Sequence, residues 1–436
     1  MFFSRGTSHT KPDPDFQRLW ASVTVSSLGD GMRFVALPLL AAQLTSDPRQ
    51  IAAVYLAEQL PLLLFGLFSG ALADRVDRRR ILWLVDAVRA LTIGALAVAV
   101  ADHSVTIHLL VGVGFLLGLG QTLYNGAWSG MVPTLVAPTD LTRANARLQA
   151  SSLVADTLLG TPLGALLFGV AAALPFAVDA VSFAGAAALA LMLRGNFQPP
   201  PPAGPSTGGT LCRDMVHGVR WLWQHRLLRR LCLASGITNL VGAGLIAILV
   251  LYARQVLGLG SLGFALLVAS FALGGVAGAA GTPRLTARFG NQRVLKLTAA
   301  GTAIAAAAAG LAQSGPMAAA CIAMYGAATL AWNVTAVSLR QALVPSELLG
   351  RVAMAYQMVI GGGTALGAAA AGFVADFFGL RAPFFAGAVL LLAAGLISTR
   401  ITGAGTLPTQ RAAAFDGHVP EQRQRSDGPA SEAEDH

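Results

Sequence analysis

The sequence predicts an all-α polytopic membrane protein, with twelve transmembrane helices arranged as two pseudo-symmetric six-helix bundles. Three observations lead there. Of the 436 residues, 55% are hydrophobic and only 12% charged, whereas a soluble chain carries roughly 25% charged residues to meet water. Apolar segments of the length that crosses a bilayer, about 20 residues for ~30 Å of hydrocarbon, recur along the chain. Short motifs of the first half also return, in the same order, in the second.

Residues 1–16 form a polar cytoplasmic segment with Pro12 and Pro14, unlike a cleavable signal peptide, so the first apolar stretch is expected to stay as a span. Apolar segments follow near 17–44, 51–73, 81–101, 107–129, 149–171 and 175–194, giving an N-terminal bundle over 17–194. A second set lies near 231–253, 263–283, 293–312, 317–339, 353–375 and 383–400, giving a C-terminal bundle over 231–400. Glycine-rich stretches such as Gly274 to Gly281 suit close helix packing in lipid. Between the sets, 195–230 opens with Pro199 to Pro202, as a stiff cytoplasmic linker does. It then turns amphipathic around Trp221, Leu222, Leu227 and Leu228, as a helix at the membrane interface would. The polar tail, 401–436, reads as disordered.

The formal net charge of +9 would suggest nucleic acid in a soluble protein; here it sorts by topology. With the N-terminus inside, the cytoplasmic connections collect Arg75, Arg78, Arg79 and Arg80, then Arg143 and Arg147, the arginines from Arg194 to Arg230, Arg284 to Lys296, and Arg340 and Arg351. Only Arg49, Arg254 and Arg381 fall outside, which places both termini in the cytoplasm. The three cysteines are too scattered for a disulfide framework or a zinc site. All seven histidines lie in loops, tails or span ends, so a histidine proton relay or metal site is not expected.

The repeats point to two related halves. Leu72-Ala-Asp-Arg-Val-Asp-Arg-Arg-Arg-Ile-Leu82 aligns without gaps with Leu285-Thr-Ala-Arg-Phe-Gly-Asn-Gln-Arg-Val-Leu295. Thr122 to Asn125 resembles Thr329 to Asn333, and Gly160-Thr-Pro-Leu-Gly-Ala165 resembles Gly363-Thr-Ala-Leu-Gly-Ala368. Parallel six-helix repeats with a site between them are one architecture of secondary transporters.

Gly70-Ala-Leu-Ala-Asp74-Arg75-Val-Asp-Arg78-Arg79 resembles the loop between spans two and three of the major facilitator superfamily. Ser26 to Asp30, Leu141 to Asn145, Phe176 to Phe183 and Gly350-Arg351-Val352 resemble its subfamily of bacterial enterobactin and macrolide exporters. The resemblance covers residues 16 to 400 and implies the major facilitator fold, alternating access, and efflux of a drug, siderophore or natural product. An importer or a lysolipid flippase is the alternative on the same fold. In that family the loop aspartate, here Asp74, locks the halves together with span eleven when the transporter faces outward; Gly70, Arg75, Arg78 and Arg79 complete the gating loop. Two departures stand out. The span-five motif has its proline shifted, leaving Gly160, Pro162 and Gly164, and the basic residue of drug antiporters in span four is missing.

Charges within spans are the sharper signal, since each costs ~2.5–3.5 kcal/mol at mid-span. Asp30 lies about thirteen residues into span one, ~20 Å along it, with Arg33 on the same face three residues on. Such a pair either couples protonation to transport or is a static pair that fixes helix packing. Glu58 and Asp156 have no opposite charge near them in sequence; they face a cavity or sit as protonated acids against a helix. Asp86 with Arg89 reads as a local pair, and Asp179 as a packing residue. Tyr124, Asn125, Trp332 and Asn333 occupy matching places, suited to lining an amphiphilic cavity or, for the aromatics, to the membrane interface. With no phosphate-binding loop, no nucleophile paired with a base and no ligand cluster, the chain is expected to be no enzyme and to need no cofactor or metal. The expected partners are a small-molecule substrate, protons as coupling ion and the lipid bilayer, with no nucleic acid; a monomer is expected.

Overall fold

A computed structural model describes residues 14–73, 76–136, 140–194, 197, 219–344 and 349–399. The expectations for Asp74, Arg75, most of the N-terminal segment, most of the linker and the tail lie outside the described residues. The described chain is helical throughout and contains no strand, as lipid requires of a chain that must satisfy its own backbone.

Its helices are α1 Pro14–Leu44, α2 Pro48–Ala73, α3 Arg78–Ala101 and α4 Ile107–Leu135. The next, α5, runs over Leu141–Leu153, passes through a π-helical turn at Val154–Gly160 and continues as Thr161–Val170. Then come α6 Leu174–Leu191, α7 Arg226–Leu251 with a π turn at Tyr252–Val256, α8 Ser261–Phe289 and α9 Asn291–Leu311. The last are α10 Gly315–Leu343, α11 Leu349–Phe378 and α12 Ala382–Thr399. Ten helices among the described residues are long and apolar enough to cross a membrane, and Ala382–Ile397 is a shorter apolar one. Helix α5 starts at Leu141 rather than near 149, because its first turns are polar and read as connection in hydropathy. Residues 219–224 are also helical, with Leu222 buried against Leu228, Cys232 and Val352 while Trp223 stays exposed.

The packing repeats. In the first six helices α1 packs on α5 and α6, α2 on α4, and α3 on α4 and α6. Six helices later α7 packs on α11 and α12, α8 on α10, and α9 on α10 and α12. Glycines let these backbones meet. Gly164 of α5 abuts the Met32 backbone of α1, and Gly367 of α11 abuts the Leu240 backbone of α7 in the same way. The resemblance between Gly160–Ala165 and Gly363–Ala368 is therefore a repeated helix contact.

Between the two sets, α2 lies along α11 and the second part of α5 along α8. The two ends of the molecule differ. Where α1 ends and α2 begins, one apolar core takes residues from both sets, among them Leu39, Val54, Phe168, Ile248, Phe264 and Ala371. At the opposite end the cores are separate. One, around Leu19, Leu82, Met131 and Leu148, draws only on the first set; two others, around Leu231 with Trp332 and around Leu228 with Tyr356, draw only on the second. The molecule is thus sealed at one end and divided at the other.

Candidate substrate and ion site

A single guanidinium organises the interior of the first set. Arg33 of α1 is buried, and each of its groups meets an acid from a different place. Its Nη2 donates to Asp30 one turn earlier at 2.8 Å; its Nη1 donates to Oε1 of Glu58 on α2; its Nε lies 3.5 Å from Oδ2 of Asp179 on α6. The planar fork of arginine suits this, since it reaches several carboxylates without rearranging. Helix spacing alone brings Asp30 to Arg33. Glu58 and Asp179 arrive through packing, helped by Gly118 of α4 against the Glu58 carbonyl and by Gly29 against Asp179 and Ser182.

A second buried ion pair lies in the same set. Arg89 and Asp86 of α3 are 4.0 Å apart and both fully enclosed. Arg89 donates to Gln121 of α4 and stands over the rings of Phe183, 4.8 Å away, and Tyr124, 5.9 Å away. Such cation–π contacts are stronger when desolvated. They also explain where Tyr124 goes: its ring covers Arg89, buried, and does not line the cavity described next. Asn125 accepts from Gln121 at 3.0 Å and is likewise not among the lining residues.

That cavity, about 860 Å³, lies between the two sets and is lined mainly by α7, α8, α10 and α11. Trp332 and Asn333 line it, along with Tyr55, Phe271, Tyr325 and Tyr356. Aromatic and aliphatic walls with few polar groups suit an amphiphilic small molecule. Among the described lining residues Asp156 is the sole carboxylate and Arg340 the sole guanidinium. Arg340 is occupied, with its guanidinium 4.4 Å from the Tyr356 ring. The carboxylate of Asp156 has no ion pair or hydrogen bond among the described residues, and the residue lines the cavity.

The position of Asp156 has a local cause. Pro162 lacks the N–H an α-helix needs and its ring would strike a carbonyl one turn back. The helix responds with a π turn, in which the Thr161 N–H reaches the Asp156 carbonyl five residues back. The Thr161 hydroxyl donates to the same oxygen at 3.3 Å. Gly160 and Gly31 bring α5 against α1 there, the Asp156 carbonyl resting on Gly31. The π turn just before Pro162 thus sets the register of Asp156, while Gly160 and Gly164 bring α5 against α1.

Of the residues expected to form a gating loop, Gly70 lies in the last turn of α2 and Arg78 opens α3. Asp77 caps α3, accepting from the Arg79 N–H at 2.9 Å, while the Arg79 side chain donates to the Leu191 carbonyl at the end of α6. At the sealed end, Arg49 of α2 lies 3.4 Å from Asp376 of α11 and 3.4 Å from Asp47.

Two sets of six helices with matching contacts around a central cavity define a membrane transporter of the major facilitator fold. The sequence profile of the transmembrane secretion effector family matches residues 12–423, and the chain belongs to that family. The multidrug efflux pump Tap of Mycolicibacterium fortuitum is 26% identical over 408 residues, 90% of this chain and 96% of that protein. The MFS-type transporter YfiS of Bacillus subtilis is 43% identical over 76 residues, 17% of this chain and only 18% of YfiS. Among solved structures, a bacterial ferroportin homologue in its inward-facing state has a TM-score of 0.73 at 16% identity, covering 89% of this chain and 99% of that one. The outward-facing state with soaked iron has a TM-score of 0.57 at 18% identity, covering 90% and 100%. The nucleoside transporter NupG has a TM-score of 0.71 at 14% identity, covering 90% and 100%. The protein is a secondary transporter that moves small molecules across a membrane.

Proposed function

We propose that the protein exports an amphiphilic small molecule carrying a cationic group, in exchange for protons, by alternating access of two six-helix halves, 17–194 and 231–400. The observation that carries this reading is the unpaired Asp156 in the wall of an otherwise aromatic and aliphatic cavity, one helix away from the Arg33 cluster. A half-exposed carboxylate in an otherwise apolar cavity wall attracts a cation and disfavours an anion. Asp30, Arg33 and Glu58, behind that wall, are the ion-coupling groups, and Asn333 and Trp332 orient the substrate. Drugs, siderophores and macrolides are the substrate classes to screen.

Export is supported by the name of the Tap relative, a multidrug efflux pump, and by a cavity whose sealed end is opposite the arginine-rich connections. With those connections in the cytoplasm of a cell whose plasma membrane holds the protein, the cavity faces the compartment that supplies an exported molecule. The loop from Gly70 to Arg79 then acts at the cytoplasmic side, and a monomer suffices.

The test is transport in reconstituted vesicles under an imposed pH gradient, together with drug accumulation in an efflux-deficient host. Expression should lower intracellular drug, and the gradient should drive vesicular flux of cationic probes. Raised accumulation, or flux indifferent to the gradient, overturns the reading.

A further inference from the structure

We infer that Asp179 of α6 is a proton-binding site, distinct from the substrate cavity and occupied by a proton in the conformation described above. The inference deepens the proposed exchange of substrate for protons and rests on it for its role in transport, though not for the proton itself.

Charge counting comes first. Arg33 carries one positive charge and faces three carboxylates, Asp30, Glu58 and Asp179. Ionised together, the four groups would leave two uncompensated negative charges in the interior of a membrane-spanning bundle, and carboxylates that share one site do not all ionise. Arg89, which also faces Asp179, has Asp86 beside it and so does not remove the excess, whereas a proton on one of the three acids does.

Geometry then selects Asp179. The Nη1 and Nη2 groups of Arg33 donate to Glu58 and Asp30, whose side chains remain 17% and 23% exposed. The Asp179 side chain is 0% exposed, and its Oδ2 lies 3.5 Å from the Arg33 Nε. Both of those atoms lack a hydrogen-bond partner. The other oxygen receives a long bond of 3.3 Å from Ser182 Oγ, which also bonds the Asp179 carbonyl at 2.8 Å. An ionised carboxylate shut off from solvent is held by several short bonds; Asp179 is not, and unlike the half-exposed Asp156 it has no cavity to solvate its charge.

The surroundings are fully accounted for by named groups. From α1, Asp30 and Arg33 face Asp179; from α3, Arg89 does. Glu58 of α2 reaches it through Arg33, and Asp86 of α3 and Tyr124 of α4 through Arg89. Asp156 of α5 lies beyond Gly31. Of all these, Asp156 alone lines the cavity, so the acid that meets a substrate and the acid that holds the proton are separate side chains, and the charge of Arg33 acts on both. When Asp179 gives its proton to water by way of Asp30 or Glu58, its carboxylate competes for Arg33. The competition weakens the bond to Glu58, and Glu58 belongs to α2, the helix that lies along α11 in the other set.

The test uses the full-length protein in vesicles and nanodiscs, with tetraphenylphosphonium as probe. Infrared difference spectroscopy at neutral pH should show a protonated carboxyl C=O band that D179N removes and that both D156N and D86N keep. D179N, an isostere of the neutral acid, should retain the native thermal stability. Its gradient-driven flux should fall on the order of tenfold, while exchange of labelled for unlabelled probe without a gradient persists; D156N should lose both. A band that survives D179N, or a D179N protein that does not fold, overturns the inference. If D179N removes the band but the native protein shows no gradient-driven flux of any probe, the proton site stands and the exchange mechanism falls.

Discussion

The carbonyl oxygen of Asp156 rests directly on Gly31, so the helix carrying the cavity acid and the helix carrying Arg33 meet with no side chain between them. A methyl group at Gly31 would occupy the place of that carbonyl. G31A should destabilise the protein by about 1–3 kcal/mol, the range for overpacking a tight contact, and should reduce flux as well. G112A is the control: a methyl there meets nothing within 4 Å, and its thermal unfolding midpoint should stay at or above the native one.

Asp156 itself should separate substrates by charge. In D156N, flux of cationic probes should fall at least tenfold, while neutral amphiphiles of similar size lose much less, because the apolar walls are unchanged. Equal losses for both classes would assign Asp156 to helix packing. Vesicle flux with a matched pair of probes decides it.

Pro162 acts on the same residue from a distance. P162A restores the missing N–H and favours an ordinary α-helix in place of the π turn. Removing that one-residue offset turns the preceding segment by roughly 100° about the helix axis, carrying the Asp156 side chain away from the cavity. The expected outcome is loss of cationic probe binding with folding intact, read by equilibrium binding and by the unfolding midpoint.

Removing the central cation should be far more damaging than removing any one acid. R33Q leaves Asp30, Glu58 and Asp179 facing one another, and breaking a buried pair from one side costs about 3–5 kcal/mol. Adding E58Q to R33Q should recover part of the lost stability, whereas adding a distant neutralisation should not. Folded yield and thermal midpoints of the double-mutant set measure this.

At the sealed end, Arg49 links α2 to Asp376 of α11. R49E should shift the population toward conformations open at that end, and the exchange R49D with D376R should restore it, as read by distances between spin labels on α2 and α11. Burial pushes the Asp47 carboxyl up slightly, but backbone and side-chain hydrogen bonds from Arg49 outweigh it and hold the group below its usual value. A depressed carboxyl contributes above its unfolded pKa and loses that contribution only as pH falls through the folded one. The Asp47 contribution to the Arg49 turn should therefore survive mild acid and fade only in stronger acid.

What could be read before folding was what lies close in sequence. Hydropathy located the helices, and the spacing of three residues placed Asp30 beside Arg33, because both depend on one helix alone. Glu58 and Asp156 stood out as lone intramembrane acids, yet nothing local says that Glu58 pairs with Arg33 while Asp156 stays free; that depends on Gly118 and Gly31 setting helix distances. Asp179 was the hardest to read, as its importance arises from α1 and α3 closing over it. The matched positions of Tyr124 and Trp332 suggested equal roles, but Tyr124 is drawn under the Arg89 guanidinium, whereas Trp332 lines the cavity. Repeats preserve backbone contacts better than chemistry: Glu58 and Phe271 accept the same kind of glycine contact, from Gly118 and Gly326, yet one is an acid and the other a hydrocarbon.

The unequal ends of the molecule also say what the protein does between cycles. To reverse its opening it must dissolve the core that, among the described residues, draws on all twelve helices, and knit the separate ones together; under the proposed alternating access an empty molecule then idles with the same doorway ajar. Under the proposed export each turn of the cycle begins with whatever arrives at that doorway, and the supply of cargo on that side sets the pace when cargo is scarce.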